Sequence, residues 1–267
     1  MKKFSVLAIA FAAVLFAACG GNKSAQTAEN ADSAKSFEQQ QIEAAIKMHF
    51  DSIASEISSM KQLPFLQEGE NGVQLTKEEK QVKPDYLIAA SAADEATTLA
   101  EKYRILSALN VDKKIATMYE MPTEDYDKAV TKLIADINDP SFKAVEDANT
   151  LYETSSALYD AMDENGRINY FWQMASAALV EQIYIVNQNS EKFLANFTDD
   201  NAANITYRIV LILDAVKNLS QYDPDIQPVA AALAPLDVLN ATTVTELKDQ
   251  LATSKDKIEA ARKALVK

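Results

Sequence analysis

The chain is poor in the residues that most enzyme and metal chemistry depends on. It holds one cysteine, Cys19, and one histidine, His49. A zinc site or a cysteine nucleophile needs thiols or imidazoles brought together, and carboxylate-bridged di-iron sites use Glu-x-x-His pairs that one histidine cannot supply. A histidine-assisted serine would have to use His49, and the chain has no Gly-x-Ser-x-Gly elbow. Two carboxylates can hydrolyse a glycoside without either residue type, but no pair is singled out by the spacing of the acids. The expectation is a protein that is not an enzyme and carries no metal and no cofactor.

Glycine is scarce too. Of five glycines, Gly20 and Gly21 follow directly on Cys19, which leaves Gly69, Gly72 and Gly166 for the rest of the chain. A β-rich domain needs glycine in its turns, and a nucleotide-binding α/β fold needs a glycine-rich phosphate loop. Neither fits. An alanine-rich, glycine-poor chain with seven prolines as punctuation reads as all-α. One cysteine also excludes an internal disulfide, so the fold must be held by its core. Residues 37–267 number 231, enough for one sizeable domain or two small ones.

The N-terminus is built differently. Met1-Lys2-Lys3 is basic, and Phe4 to Ala18 is an apolar run broken only by Ser5. At fifteen residues it is too short for a membrane span, which takes about 18 to 20, and it has the layout of a secretion signal. Its end, Leu15-Phe16-Ala17-Ala18-Cys19, resembles the lipobox of bacterial lipoproteins, with Phe16 standing where that motif usually has leucine. The resemblance implies cleavage before Cys19 and lipidation of its thiol, hence a membrane anchor through an N-terminal lipid. It covers the signal only. The division expected is a signal peptide over 1–18, a lipidated cysteine and flexible tether over 19–36, and an all-α domain over 37–267.

Without Lys2 and Lys3, 24 basic residues face 39 acidic ones, a net charge of −15. Nucleic acid is a poor partner for such a chain, and anionic lipid surfaces are too. The acids are spread along the sequence and read as solvated helix faces. Gly20 to Ser36 contains no apolar residue larger than alanine, the composition of a flexible coil with a span of roughly 20 to 25 Å. Within it Asp32-Ser33-Ala34 resembles the acceptor of protein O-glycosylation in Bacteroidota, and an acidic helical lipoprotein is similar to those of that phylum. Ser33 is therefore a candidate modification site. Asp51-Ser52-Ile53 repeats the pattern inside a helical stretch. Gly20-Gly21-Asn22-Lys23 has no acidic cluster of the kind that marks surface export in those lipoproteins, which points to the periplasmic side of the outer membrane.

Apolar periodicity sketches an irregular multi-helix bundle. Ile42, Ile46, Phe50, Ile53, Ile57 and Met60 form one stripe ending before Pro64, and His49 lies at its rim. Ala96, Leu99, Tyr103, Leu106 and Leu109 form another, after which Asp112 is placed as the cap of a separate short helix. Tyr126, Val130, Leu133 and Ile137 follow. Residues from Pro140 to Met162 then extend to Asn165-Gly166, a left-handed helix end. Arg167 to Gln188 is apolar nearly all round, as a central helix is. Ile205 to Leu219 makes a further stripe, three prolines divide the segment after it, and Val244 to Leu265 keeps an alternating three-four spacing as one helix. Thr76 to Glu79 and Thr243 to Glu246 have the pattern of capping boxes.

Three places are singled out as candidate sites. Pro64 to Leu75 is long for a helix connection and carries Phe65, Leu66, Val73 and Leu75, which makes it a candidate partner contact, with folding back over the bundle as the competing expectation. Glu181 and Arg208 each interrupt an apolar helical run and are expected to meet as a buried ion pair. The aromatic cluster at Trp172 is core by expectation, or the lining of a pocket in a small-molecule-binding or hydrolytic domain. The function expected is non-catalytic binding of an envelope protein partner, or stabilisation of an envelope assembly.

Overall fold

A computed structural model of the chain describes residues 37–60, 63–67, 72–145 and 156–266, with the side chains of the first helix described from Ala44 onward. The chain divides into two compact units, Met1–Ile42 and Glu43–Lys267. Of the first, only residues 37–42 are described, the opening turns of a helix. The second contains everything that follows. Among the described residues there are helices and no strands, and no helix is long and apolar enough to cross a membrane.

The first helix, α1, is Phe37–Ser59, and its stripe is buried at Phe50, Ile53 and Ile57. A 3-10 turn at Pro64–Leu66 follows, then the short α2, Lys77–Gln81, and α3, Ala92–Glu95. Thr76 starts α2 with a reciprocal capping box to Glu79, the pattern expected from the sequence.

Next come α4, Leu99–Met118, and α5, Glu124–Ile137. Asp112 does not start a helix. It lies fully buried inside the unbroken α4. An aspartate in a helix interior looks like a cap in one dimension, and only the packing around it reveals the reason it is there.

Asn138 ends α5 in the left-handed conformation, and Pro140–Val145 forms a 3-10 turn started by Asp139, whose Oδ1 accepts the Ser141 N–H at 2.9 Å. The helix expected from Pro140 to Met162 starts as this 3-10 turn and not as an α-helix, and residues 146–155, Tyr152 among them, lie outside the described residues. The sixth helix, α6, spans Ser156–Glu164 and ends at Gly166, whose φ of +66° favours glycine.

The central helix is α7, Ile168–Gln188, with every residue from Phe171 to Ile183 buried. After it come α8, Ser190–Phe193; α9, Asp199–Leu219; α10, Gln227–Leu233, between 3-10 turns at Pro224–Ile226 and Ala234–Val238; α11, Val244–Thr253; and α12, Lys255–Leu265. The single C-terminal helix read from the three-four spacing is two helices, α11 and α12, parted at Ser254. The buried positions Leu251, Ile258, Ala261 and Leu265 keep the spacing across the break, which is why the sequence pattern does not show it.

α7 packs against α4, α6, α9, α10, α11 and α12. Its lack of a polar face is the cause: a helix apolar on all sides is stable only when covered on all sides. α4 runs parallel to α7. Arg104 donates to Gln173 at 2.6 Å, and eight residues further along each helix Asp112 meets Glu181, the same offset at both ends. Arg104 Nε also donates to the Leu265 carbonyl at 3.0 Å, so one guanidinium ties α4, α7 and the end of α12.

Candidate functional site

Cys19 and Ser33 lie outside the described residues, so lipidation and glycosylation remain expectations from the sequence. The candidate contact segment folds inward. Phe65, Leu66 and Val73 are buried and Leu75 is half-buried. Phe65 packs edge-on to Phe193 at 6.5 Å and stacks near Phe197 at 6.2 Å between ring centroids. Gly72 makes the fold-back possible, because a Cβ there would stand 2.1 Å from the Gln67 carbonyl oxygen. Asn196 holds the turn by donating to the Gly72 carbonyl at 2.5 Å. These side chains cover the bundle near α8, and the reading of them as an exposed partner contact is corrected: their apolar area is satisfied within the chain itself.

Glu181 is wholly buried, as its apolar surroundings suggest, but its cation is not Arg208. Arg262 of α12 takes it, with Nε and Nη2 donating to the two carboxylate oxygens at 2.8 Å each. The same guanidinium donates to the Tyr86 carbonyl at 3.0 Å and lies 3.9 Å from the centroid of the Tyr184 ring. Arg208 is buried on α9. The helices carrying Glu181 and Arg208 are neighbours, as expected, so the error is one of partner. Arg262 reads in sequence as one more solvated cation in Lys255–Leu265, and only the docking of α12 on α7 turns it inward.

Trp172 is core. Its ring is fully buried, with Phe171 at 5.3 Å, Phe50 at 6.0 Å and Tyr159 at 6.2 Å between centroids. The rings pack about the indole as core side chains do. His49 is on the surface of α1, with Nε2 at 2.8 Å from Asp214 Oδ2. Among the described residues no group of three or more histidine, cysteine or acidic side chains is arranged to hold a metal ion.

Two arrangements stand out that the sequence did not reveal. One is buried: Asp112, Glu181 and Arg262 join α4, α7 and α12, with Ile88 N–H donating to Asp112 Oδ2 at 2.6 Å and the Tyr126 hydroxyl donating to the Ile88 carbonyl at 2.8 Å. Burial pushes the Asp112 carboxyl well above its ordinary range, and the nearby Glu181 charge acts the same way.

The other is exposed. A groove of about 480 Å³ runs between α9 and α10 with its following turn, walled by Ile209, Val210, Leu213, Leu233, Ala234 and Leu239. Its rim carries Asp214, Lys217 and Asp237. Six large apolar side chains are exposed among the described residues: Met48, Val82, Tyr207, Val210, Tyr222 and Val238. Val210 lines the groove, whereas the Tyr207 hydroxyl donates to Glu56 of α1. The inward stripe of α9, Ile205, Ile209, Ile212 and Val216, is legible as core. Val210 and Leu213 form a second stripe beside it, whose separate use depends on where α10 comes to rest.

With fold and sites in view, comparison with known protein families, curated proteins and solved structures finds no match to the chain.

Proposed function

We propose that this is a lipid-anchored protein of the bacterial envelope, held through Cys19 at an outer membrane and facing the periplasm, that works without catalysis by binding a protein partner. The anchor follows from the signal-like run and the small residues before Cys19. The acidic domain has no basic patch in sequence to hold it to anionic lipid in another way.

The observation that carries the binding role is the α9–α10 groove. The exposed Val210 lines it together with Ile209, Leu213, Leu233 and Leu239, and an apolar patch rimmed by polar residues is the ordinary form of an interaction surface. Its rim has two aspartates to one lysine, on a chain of net charge −15 without its signal. The partner that fits is a protein segment with apolar side chains flanked by lysine or arginine.

A photo-crosslinking residue at Val210, in cells that express the protein natively, tests this. The expected product is a single protein adduct through a basic, apolar segment, absent when the crosslinker replaces the exposed Val82. Equal adducts from both positions, or adducts to lipid alone, would defeat the reading.

A further inference from the structure

The carboxyl groups of Asp112 on α4 and Glu181 on α7 are neighbours, and neither residue has any exposed surface. Two carboxylates that meet away from water repel strongly, and a hydrogen bond between them needs a proton on one. The remaining contacts decide which. Both oxygens of Glu181 accept from Arg262, an arrangement that favours its ionised form. Asp112 accepts the Ile88 N–H on Oδ2, while its Oδ1 receives no N–H or O–H from the protein. A proton on Oδ1 removes a buried charge that no donor at that oxygen stabilises.

The charges then sum to zero: neutral Asp112, anionic Glu181, cationic Arg262. The groups facing the pair are Tyr86, with Ile88, from the segment before α3; Tyr126 on α5; Tyr184 on α7; and Arg262 on α12, with Tyr119 beside Tyr86 and Glu259 beside Tyr184 one layer further out. Burial pushes the phenols of Tyr86, Tyr126 and Tyr184 up, so these three add no charge. Arg262 is the cation that balances this group, and Glu181 already takes two of its donors.

We propose that Asp112 is a neutral carboxylic acid in the folded protein at neutral pH, and that this one proton is the latch joining α4, α7 and α12, so that the junction weakens as the pH rises. The sign follows from linkage. An unfolded aspartate loses its proton near pH 4, whereas the folded one keeps it, so folding takes up a proton above that pH and stability falls with increasing pH until Asp112 ionises in place. The full contribution is present below about pH 4.

Urea unfolding of the protein and of Asp112→Asn, from pH 5 to pH 8, reads this directly. Asparagine keeps an acceptor for Ile88, but has no proton to lose. The expected result is that the folding constant of the wild type, relative to the variant, falls as the pH rises, by about tenfold for each pH unit over which Asp112 keeps its proton in the folded state. Parallel profiles would overturn the proposal. Should Asp112→Asn not fold, infrared spectra of the wild type at pH 7 serve instead: a protonated carboxyl C=O band present in the folded state and lost on unfolding is expected, and its absence would overturn the proposal equally.

Discussion

Arg262 grips Glu181 with two parallel hydrogen bonds of 2.8 Å across 81 residues of chain, and the carboxylate it holds has no exposed surface. Such a pair contributes little over two well-packed apolar side chains, yet breaking it leaves a charge stranded away from water. Replacing Arg262 with methionine should lower the unfolding free energy by about 3 to 5 kcal/mol. The double variant Glu181→Met with Arg262→Met should lose less than the single one. Urea denaturation of both decides it, and a double variant worse than the single would show that Glu181 matters for more than its cation.

The segment before α2 should behave as core. Phe65 is wholly buried against Phe193 and Phe197, so Phe65→Ala should cost about 3 to 5 kcal/mol. Binding of the groove partner, corrected for the folded fraction, should not change. A binding loss without a stability loss would return this segment to the interaction surface.

The start of α4 supplies an acid-sensitive contribution. Glu101 Oε2 accepts the Thr98 N–H at 3.0 Å, the Thr97 hydroxyl at 2.8 Å and the Thr97 N–H at 2.9 Å, which hold its carboxyl down at about 2. Because the folded value is depressed, the stabilisation is present above the ordinary glutamate range and is lost as the pH falls toward 2. The stability advantage of the wild type over Glu101→Gln should therefore be constant above about pH 5 and shrink below it, as thermal unfolding at a series of pH values will show.

Cys19→Ala should abolish fatty-acid labelling and release the protein from membranes. Acyl chains contribute roughly 0.8 kcal/mol per buried CH₂, and the acidic chain has no other evident hold on a bilayer. Equal label on wild type and variant after growth with a radioactive fatty acid would remove the anchor from the account.

Much of the molecule follows from local pattern. The all-α class, the burial of Phe50, Ile53 and Ile57 on α1, the capping boxes at Thr76 and Thr243, the left-handed Gly166 and the central place of α7 are each set by residues within one or two turns of one another. Capping, backbone conformation and amphipathic spacing are short-range effects, so they are written in consecutive residues.

What only the tertiary structure decided involves pairs far apart in the chain. That Glu181 takes Arg262, that Asp112 is a buried acid within α4 and no cap, that Ser254 parts α11 from α12, and that Val210 is left outside when α10 closes over α9 all depend on which helix face meets which. An arginine on an amphipathic helix has the same local pattern whether it points to water or into a neighbour. The difference is made by the desolvation of its partner, which exists only once α4, α7 and α12 have packed together.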